Sequence, residues 1–216
     1  MRWAAEAEAF ERYYARINPR KVLDLPVGTG RFFATYATNG ASVLGVDISK
    51  NMLAEAAKQI PPGANIRLER ADVLDLKRPS QLGSGYDLIV CMRFIYWLRP
   101  AELAIMLRKF HATGAPLLVA STKVALDDTQ ERQRHPRDGW MRSLLQLRAH
   151  LYRAVVKRVY KEAKLLAMCR ANGWILLESQ PLVTTRSVRY VCYLFGRNGG
   201  ELPEDHAREN PTAHQT

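Results

Sequence analysis

The chain has 216 residues, 47% hydrophobic and 25% charged, a balance that suits one globular domain and excludes disordered and collagen-like classes. No apolar run approaches the roughly 18 residues of a membrane span, and the opening Met1 to Glu6 lacks a signal peptide's apolar region, so the protein is expected in the cytoplasm. Cys91, Cys169 and Cys192 have no paired metal-ligand spacing and read as buried free thiols, while a net charge of +11 points to an anionic partner or to a solvated basic surface.

Residues 3–17 are rich in Ala and Glu, with Phe10, Tyr13, Tyr14 and Ile17 at helical spacing, which predicts an N-terminal helix. The stretch from Val22 to Arg31 (VLDLPVGTGR) is a short apolar run, a carboxylate, and two glycines one residue apart that open a helix. Gly28 and Gly30 allow backbone torsions and close approaches that a side chain would forbid, so a ligand can lie directly on this turn. A dinucleotide fingerprint would need a third glycine where Phe33 stands, so that reading fits badly. Asp24, four residues before Gly28, instead suits a ligand carrying a free ammonium group.

The helix begun at Arg31 ends at Asn39-Gly40, and residues 41–47 form a second strand that finishes on Asp47. A carboxylate at that place can accept both hydroxyl protons of a ribose. Ser49 caps a helix over 50–60, closed by Pro61-Pro62, and a third strand over 65–70 leads to Ala71-Asp72-Val73. Residues 86–91 (YDLIVC) are a fourth strand, followed by Met92-Arg-Phe-Ile-Tyr-Trp-Leu98. A helix from Pro100 and a fifth strand over 115–121 come next. Residues 160–172 read as a helix before Gly173. The segments 174–179 and 188–195 are two strands joined by a short connection, hence antiparallel.

In order along the chain, the Asp24 to Gly30 turn, the Asp47-Ile-Ser-Lys-Asn-Met-Leu53 string, Asp72-Val73 and the fourth strand resemble the landmarks of class I S-adenosylmethionine (SAM)-dependent methyltransferases. Pro26 stands where the first motif glycine is usual. The resemblance implies a doubly wound, mostly parallel seven-stranded sheet in the order 3-2-1-4-5-7-6, with the last strand antiparallel. It implies that Asp24, Pro26, Gly28 and Gly30 hold the aminoacyl part of SAM and that Asp47 holds its ribose. Ile48, Met52, Asp72 and Val73 would hold the adenine. Met92 then borders the cofactor where metal-dependent relatives place an acid, so no metal is expected. Tyr14 or Tyr13 of the first helix either lines this pocket or is core. Phe94, Tyr96 and Trp97 stand near the sulfonium, with Tyr96 either orienting or deprotonating the acceptor or packing silently; Arg93, Phe94 and Trp97 are substrate-side candidates.

Residues 124–159 exceed what one connection needs and are expected to form a helical lid inside a 1–196 domain, leaving 197–216 as a flexible tail. Residues 123–164 hold eleven Lys and Arg against five Asp and Glu, +6 of the +11. Within them, 140–159 reads as an amphipathic helix whose Arg142, Arg148, Arg153, Lys157 and Arg158 lie off the Leu144, Leu147, Leu151, Val155 and Val159 side. Such a helix receives an anionic substrate, lies on a membrane surface, or packs on its own domain. The expected activity is methyl transfer from SAM to an oxygen or nitrogen of a small or lipid-like, anionic acceptor. A nucleic-acid methyltransferase, a non-catalytic SAM-binding protein and a dinucleotide oxidoreductase are the competing classes.

Overall fold

The computed structural model describes residues 2–75, 82–126 and 158–197. Strands covered on both faces need apolar residues at successive positions, and most of the central ones have them. Lys21–Asp24 (β1), Ser42–Asp47 (β2), Ile66–Arg70 (β3), Leu88–Met92 (β4) and Leu117–Ala125 (β5) run parallel to one another. Tyr160–Lys161 (β6) is a short parallel addition beside the end of β5. Trp174–Thr184 (β7) and Val188–Arg197 (β8) form a hairpin, and β8 pairs antiparallel with β5. The sheet order is β3-β2-β1-β4-β5-β8-β7, which is the expected order once β6 is set aside.

Alternate residues of these strands feed two cores. On one face, Val22, Val43, Leu88, Val90, Val119 and Cys192 pack under Arg2–Ile17 (α1), Phe33–Thr38 (α2) and Lys50–Lys58 (α3), which supply Phe10, Tyr13, Phe33, Tyr36 and Ala56. On the other, Leu23, Ile89, Cys91, Leu118 and Tyr193 meet Pro100–Ala112 (α4) and Glu162–Ala171 (α5) through Leu103, Leu107, Phe110, Leu165 and Cys169. All three cysteines are buried free thiols, and burial pushes each thiol above its ordinary range. No described helix is long and apolar enough to cross a membrane.

Several boundaries differ from the sequence expectation. The helix after the glycine turn starts at Phe33 and not at Arg31, because Gly30 and Phe33 first close a separate turn, with the Phe33 N–H donating to the Gly30 carbonyl at 3.1 Å. Strand β5 runs through Ala125, so Val124 and Ala125 belong to the sheet and not to an insertion; β8 supplies a backbone partner along its whole length, from Leu117 opposite Gly196 to Ala125 opposite Val188. Arg158 and Val159 are not helical, since the Arg158 N–H donates to the Tyr96 carbonyl at 2.7 Å, and Tyr160 is in β6 and not in the helix that follows. Arg197 is the last residue of β8 and not the first of a tail: its N–H donates to the Pro116 carbonyl at 2.7 Å and its Nε to His111 Nε2 at 3.1 Å.

Trp174 fastens the hairpin to the helical layer. It is fully buried, its indole N–H donates to the Leu107 carbonyl at 3.0 Å, and its ring meets His111 edge-on. Replacing it by Ala removes the largest side chain of that core and the indole hydrogen bond to the Leu107 carbonyl. Urea unfolding is expected to show a loss of about 3 to 5 kcal/mol for Trp174→Ala, against about 1 kcal/mol for exposed Ile175→Ala.

Candidate active site

Parallel strands end together, so the carboxyl ends of β1, β2 and β4 bring their following residues to one edge of the sheet. There the chain after Asp24 crosses its neighbours: the Leu25 N–H donates to the Val90 carbonyl and the Val27 N–H to the Val46 carbonyl, each at 2.9 Å. Val27 can lie across β2 because Gly45 beneath it has no side chain; a Cβ there would sit 3.0 Å from Val27 Cγ2 and 2.9 Å from Leu68 Cδ2. Gly28 and Gly30 take φ of +58° and +78°, in the left-handed region where side chains are strained. A Cβ on Gly28 would meet nothing within 4 Å, so the turn presents bare backbone to open space, whereas one on Gly30 would collide with the Phe33 ring at 2.4 Å.

Asp47 ties this turn to the next. Its Oδ2 accepts the Gly28 N–H at 3.0 Å and its Oδ1 the Ser49 N–H at 2.8 Å, and each oxygen keeps a further acceptor position. Ser49 caps α3 as expected, its hydroxyl accepting the Met52 N–H. Ile48 and Met52 stand beside Asp47 with 54% and 44% of their surface exposed, a large apolar pair left uncovered. Asp72 Oδ1 accepts the Leu74 N–H at 2.8 Å, and Lys109 of α4 donates to the Val73 and Leu74 carbonyls at 2.6 and 2.9 Å. Burial lowers the Lys109 pKa.

Asp24 is buried behind the turn. The Tyr36 hydroxyl donates to its Oδ2 at 2.9 Å, and Tyr14 packs on Tyr36 with ring centroids 5.4 Å apart. Tyr14 is core and its hydroxyl has no partner among the described residues; burial pushes both it and the Tyr13 hydroxyl up to about 12. Burial also pushes the Asp24 carboxyl up to about 7, against the Tyr36 hydrogen bond, which lowers it; Asp47 nearby raises it further and Arg31 lowers it.

The corner between β4 and β5 contains a cluster that the sequence reading did not find. Glu6 of α1 is buried, and its carboxylate accepts the Ser121 hydroxyl at 2.6 Å and Arg31 Nη1 at 2.9 Å. Arg93 Nε lies 4.0 Å from the same carboxylate, and both guanidinium groups stack on the Trp3 ring, Arg93 at 3.8 Å and Arg31 at 4.4 Å. Arg93 follows Met92 with φ of +61°, and its N–H is shared by the carbonyl and hydroxyl of Ser121, each at 3.0 Å. Glu6 and Ser121 are 115 positions apart, so no local spacing signals the pair.

Phe94 caps the 3-10 turn Ile95–Trp97 at this edge. Tyr96 is only 7% exposed, packs on Trp97 at 5.5 Å and lies under Lys123 Nζ at 5.4 Å. Arg158 donates to the carbonyls of Tyr96 and Trp97 and the Tyr160 hydroxyl to that of Leu98. Among the basic residues expected in a lid, Arg158 is thus joined to this turn; Arg142, Arg148, Arg153 and Lys157 lie outside the described residues.

This edge, with a glycine turn after β1, an acid closing β2 and an antiparallel β8 in a parallel sheet, defines the class I SAM-dependent methyltransferase fold. Residues 22–116 match a family model described as a methyltransferase domain. A malonyl-(acyl-carrier protein) O-methyltransferase of Halalkalibacterium halodurans is 29% identical over 114 residues, 51% of this chain and 42% of that protein. The chain therefore spans less than half the length of that relative. An S-adenosylmethionine-dependent methyltransferase from Mesorhizobium loti superposes with a TM-score of 0.65 at 22% identity, covering 89% of this chain and 98% of the other. Magnesium protoporphyrin IX methyltransferase from Synechocystis, solved with bound SAH, superposes at 0.60 and 18% identity over 89% of this chain and 82% of the other.

The Asp24 environment has a pH signature. With its native pKa raised from 3.8 to about 7, the folded protein keeps a proton that the unfolded chain has released, so folding stability falls as pH rises from about 4 to 7 and is level above. Asp24→Asn lacks the titration. The stability of wild type minus that of the variant should fall by roughly 3 to 5 kcal/mol between pH 4 and pH 8 in urea titrations. Parallel curves for the two proteins would mean that Asp24 ionises normally.

Proposed function

We propose that this chain is a SAM-dependent methyltransferase that acts on a small-molecule acceptor bearing an anionic group. The observation that carries the reading is the uncovered apolar pair, Ile48 and Met52, beside a carboxylate that already orders the glycine turn. An adenosyl group offers what these residues lack: an apolar ring for the pair and hydroxyl protons for the free acceptor positions of Asp47. The bare backbone of Gly28 leaves room for a ligand that a side chain would fill.

In this reading Asp47 binds the ribose, and the Asp72 side chain with the Val73 backbone reads the adenine. Asp24 as carboxylate meets the amino group, and the Pro26 to Gly30 turn lies along the aminoacyl chain, with Met92 at its border. SAM, when bound, supplies a methyl group made electrophilic by its sulfonium. The work of the chain is then to place an acceptor oxygen or nitrogen in line with that methyl and to exclude water; good alignment supplies several kcal/mol, up to about 7 to 11. Phe94, Tyr96 and Trp97 provide an aromatic wall, and an aromatic face contributes about 0.5 to 2 kcal/mol toward a nearby cation. Tyr96 acts as a positioning group held by its ring contacts. The excess of basic side chains, including Arg142 and Arg148 of the uncharacterised connection, suits an anionic acceptor.

Calorimetry with SAM tests the cofactor half. Asp47→Ala should weaken binding about ten- to a hundredfold, the loss of roughly 1.5 to 3 kcal/mol from charge-assisted hydrogen bonds. Because an ammonium group needs Asp24 ionised, wild-type affinity should rise with pH up to about 7 and then level, while Asp24→Asn should bind weakly and without that slope. A folded wild-type protein that does not bind SAM would sink the reading. Transfer of labelled methyl from SAM to members of a small-molecule acceptor panel tests the catalytic half.

A further inference from the structure

Of the described arginines at the site edge, Arg93 is the one whose guanidinium donates no hydrogen bond. Arg31 reaches Glu6 and Arg158 reaches Trp97, but among the described residues the Arg93 side chain, 24% exposed, has only Glu6 as an ionic partner, at 4.0 Å and beyond hydrogen-bond distance. The Glu6 oxygens are meanwhile engaged by Ser121 and Arg31. A guanidinium has five donors in a planar fork, and withdrawing it from water without partners is unfavourable. The chain nevertheless holds it there by three devices: a left-handed backbone at a non-glycine residue, a peptide N–H fixed by two oxygens of Ser121, and an indole 3.8 Å from the guanidinium carbon. Strained backbone maintained against its cost is a feature of functional sites.

Charge and place indicate what the fork receives. Arg31 and Arg93 against Glu6 leave one positive charge in excess, which matches a monoanion and not a phosphate, which carries about −1.5 to −2 at neutral pH. A planar fork pairs with a carboxylate through two parallel hydrogen bonds. Arg93 directly follows β4, whose carboxyl end borders the proposed methyl-donor site on one side and the Phe94–Trp97 turn on the other. We propose that Arg93 binds a carboxylate of the methyl acceptor, with Trp3 holding the guanidinium plane and Glu6 and Arg31 setting the local charge. This assignment rests on the methyltransferase reading and narrows its acceptor to carboxylate-bearing molecules.

The test uses the full chain saturated with S-adenosylhomocysteine, whose own binding is measured first. Acetate, hexanoate, benzoate and phenylacetate are then titrated by calorimetry at low salt, each against its neutral amide, with inorganic phosphate as a separate arm. At least one carboxylate should bind ten- to a hundredfold more tightly than its amide and than phosphate. Arg93→Gln should erase that preference, and Arg93→Lys, which keeps the charge without the fork, should retain part of it. Both variants should still bind S-adenosylhomocysteine, which establishes that they are folded. Equal binding of every acid and its amide, a preference that survives Arg93→Gln, or tighter binding of phosphate would each overturn the assignment. Wild-type protein that fails to bind S-adenosylhomocysteine would instead count against the methyltransferase reading itself.

Discussion

One carboxylate receiving two peptide N–H groups holds the candidate site in shape. Asp47 closes β2 and grips Gly28 from the preceding turn and Ser49 from the following one, so two loops that would otherwise move independently share an anchor. The Gly28 turn can reach it only because Gly45 leaves space for Val27 over β2. Removing the carboxylate therefore frees a backbone turn as well as taking away the group proposed to bind the ribose. The exposed Ile48 and Met52 owe their position to the same anchor, since Ser49 between them starts α3 and Arg70 Nε donates to the Ile48 carbonyl at 3.1 Å.

The fold was legible because its signals are local. Apolar runs of four to six residues, each followed by glycine, carboxylate or proline, mark strands of a parallel sheet, and the hairpin at the end shows itself by its short connection. Asp24, Asp47 and Asp72 could be singled out for a similar reason: the first two close a strand and the third follows one by two residues, at an edge the topology fixes. The environment of Asp24 was less so. That its carboxyl is buried under Tyr36, with Tyr14 packed behind, depends on α1 lying against α2, and no spacing within either helix announces the contact.

The features that went unread are all made by residues distant in sequence. Lys109 joins α4 to the Val73-Leu74 turn, 36 positions away, by two hydrogen bonds that anchor a backbone segment proposed to face adenine. Glu6 looks like one of several glutamates on a helix until Ser121 and Arg31 are brought to it. The length of β5 depends on a partner strand near the other end of the chain, so its last four residues, two polar and then two apolar, gave no reason to extend it. Arg93 was singled out from its position after β4, but its stacking on Trp3 was not foreseeable.

Helix α1 is fastened at both ends by charge, and the two fastenings differ in their exposure. At its start Glu6 is enclosed with Ser121 and Arg31, while near its end Arg12 and Arg16 grip Glu178 of β7 at 2.9 and 2.6 Å in contact with solvent. Dissolved ions screen the outer pair and scarcely reach the inner one. The helix is thus built like a door whose handle is wet and whose hinge is dry: raising ionic strength loosens the hairpin end first, and any swing of α1 turns about Glu6, so the cluster around Arg93 keeps its geometry while the far end moves.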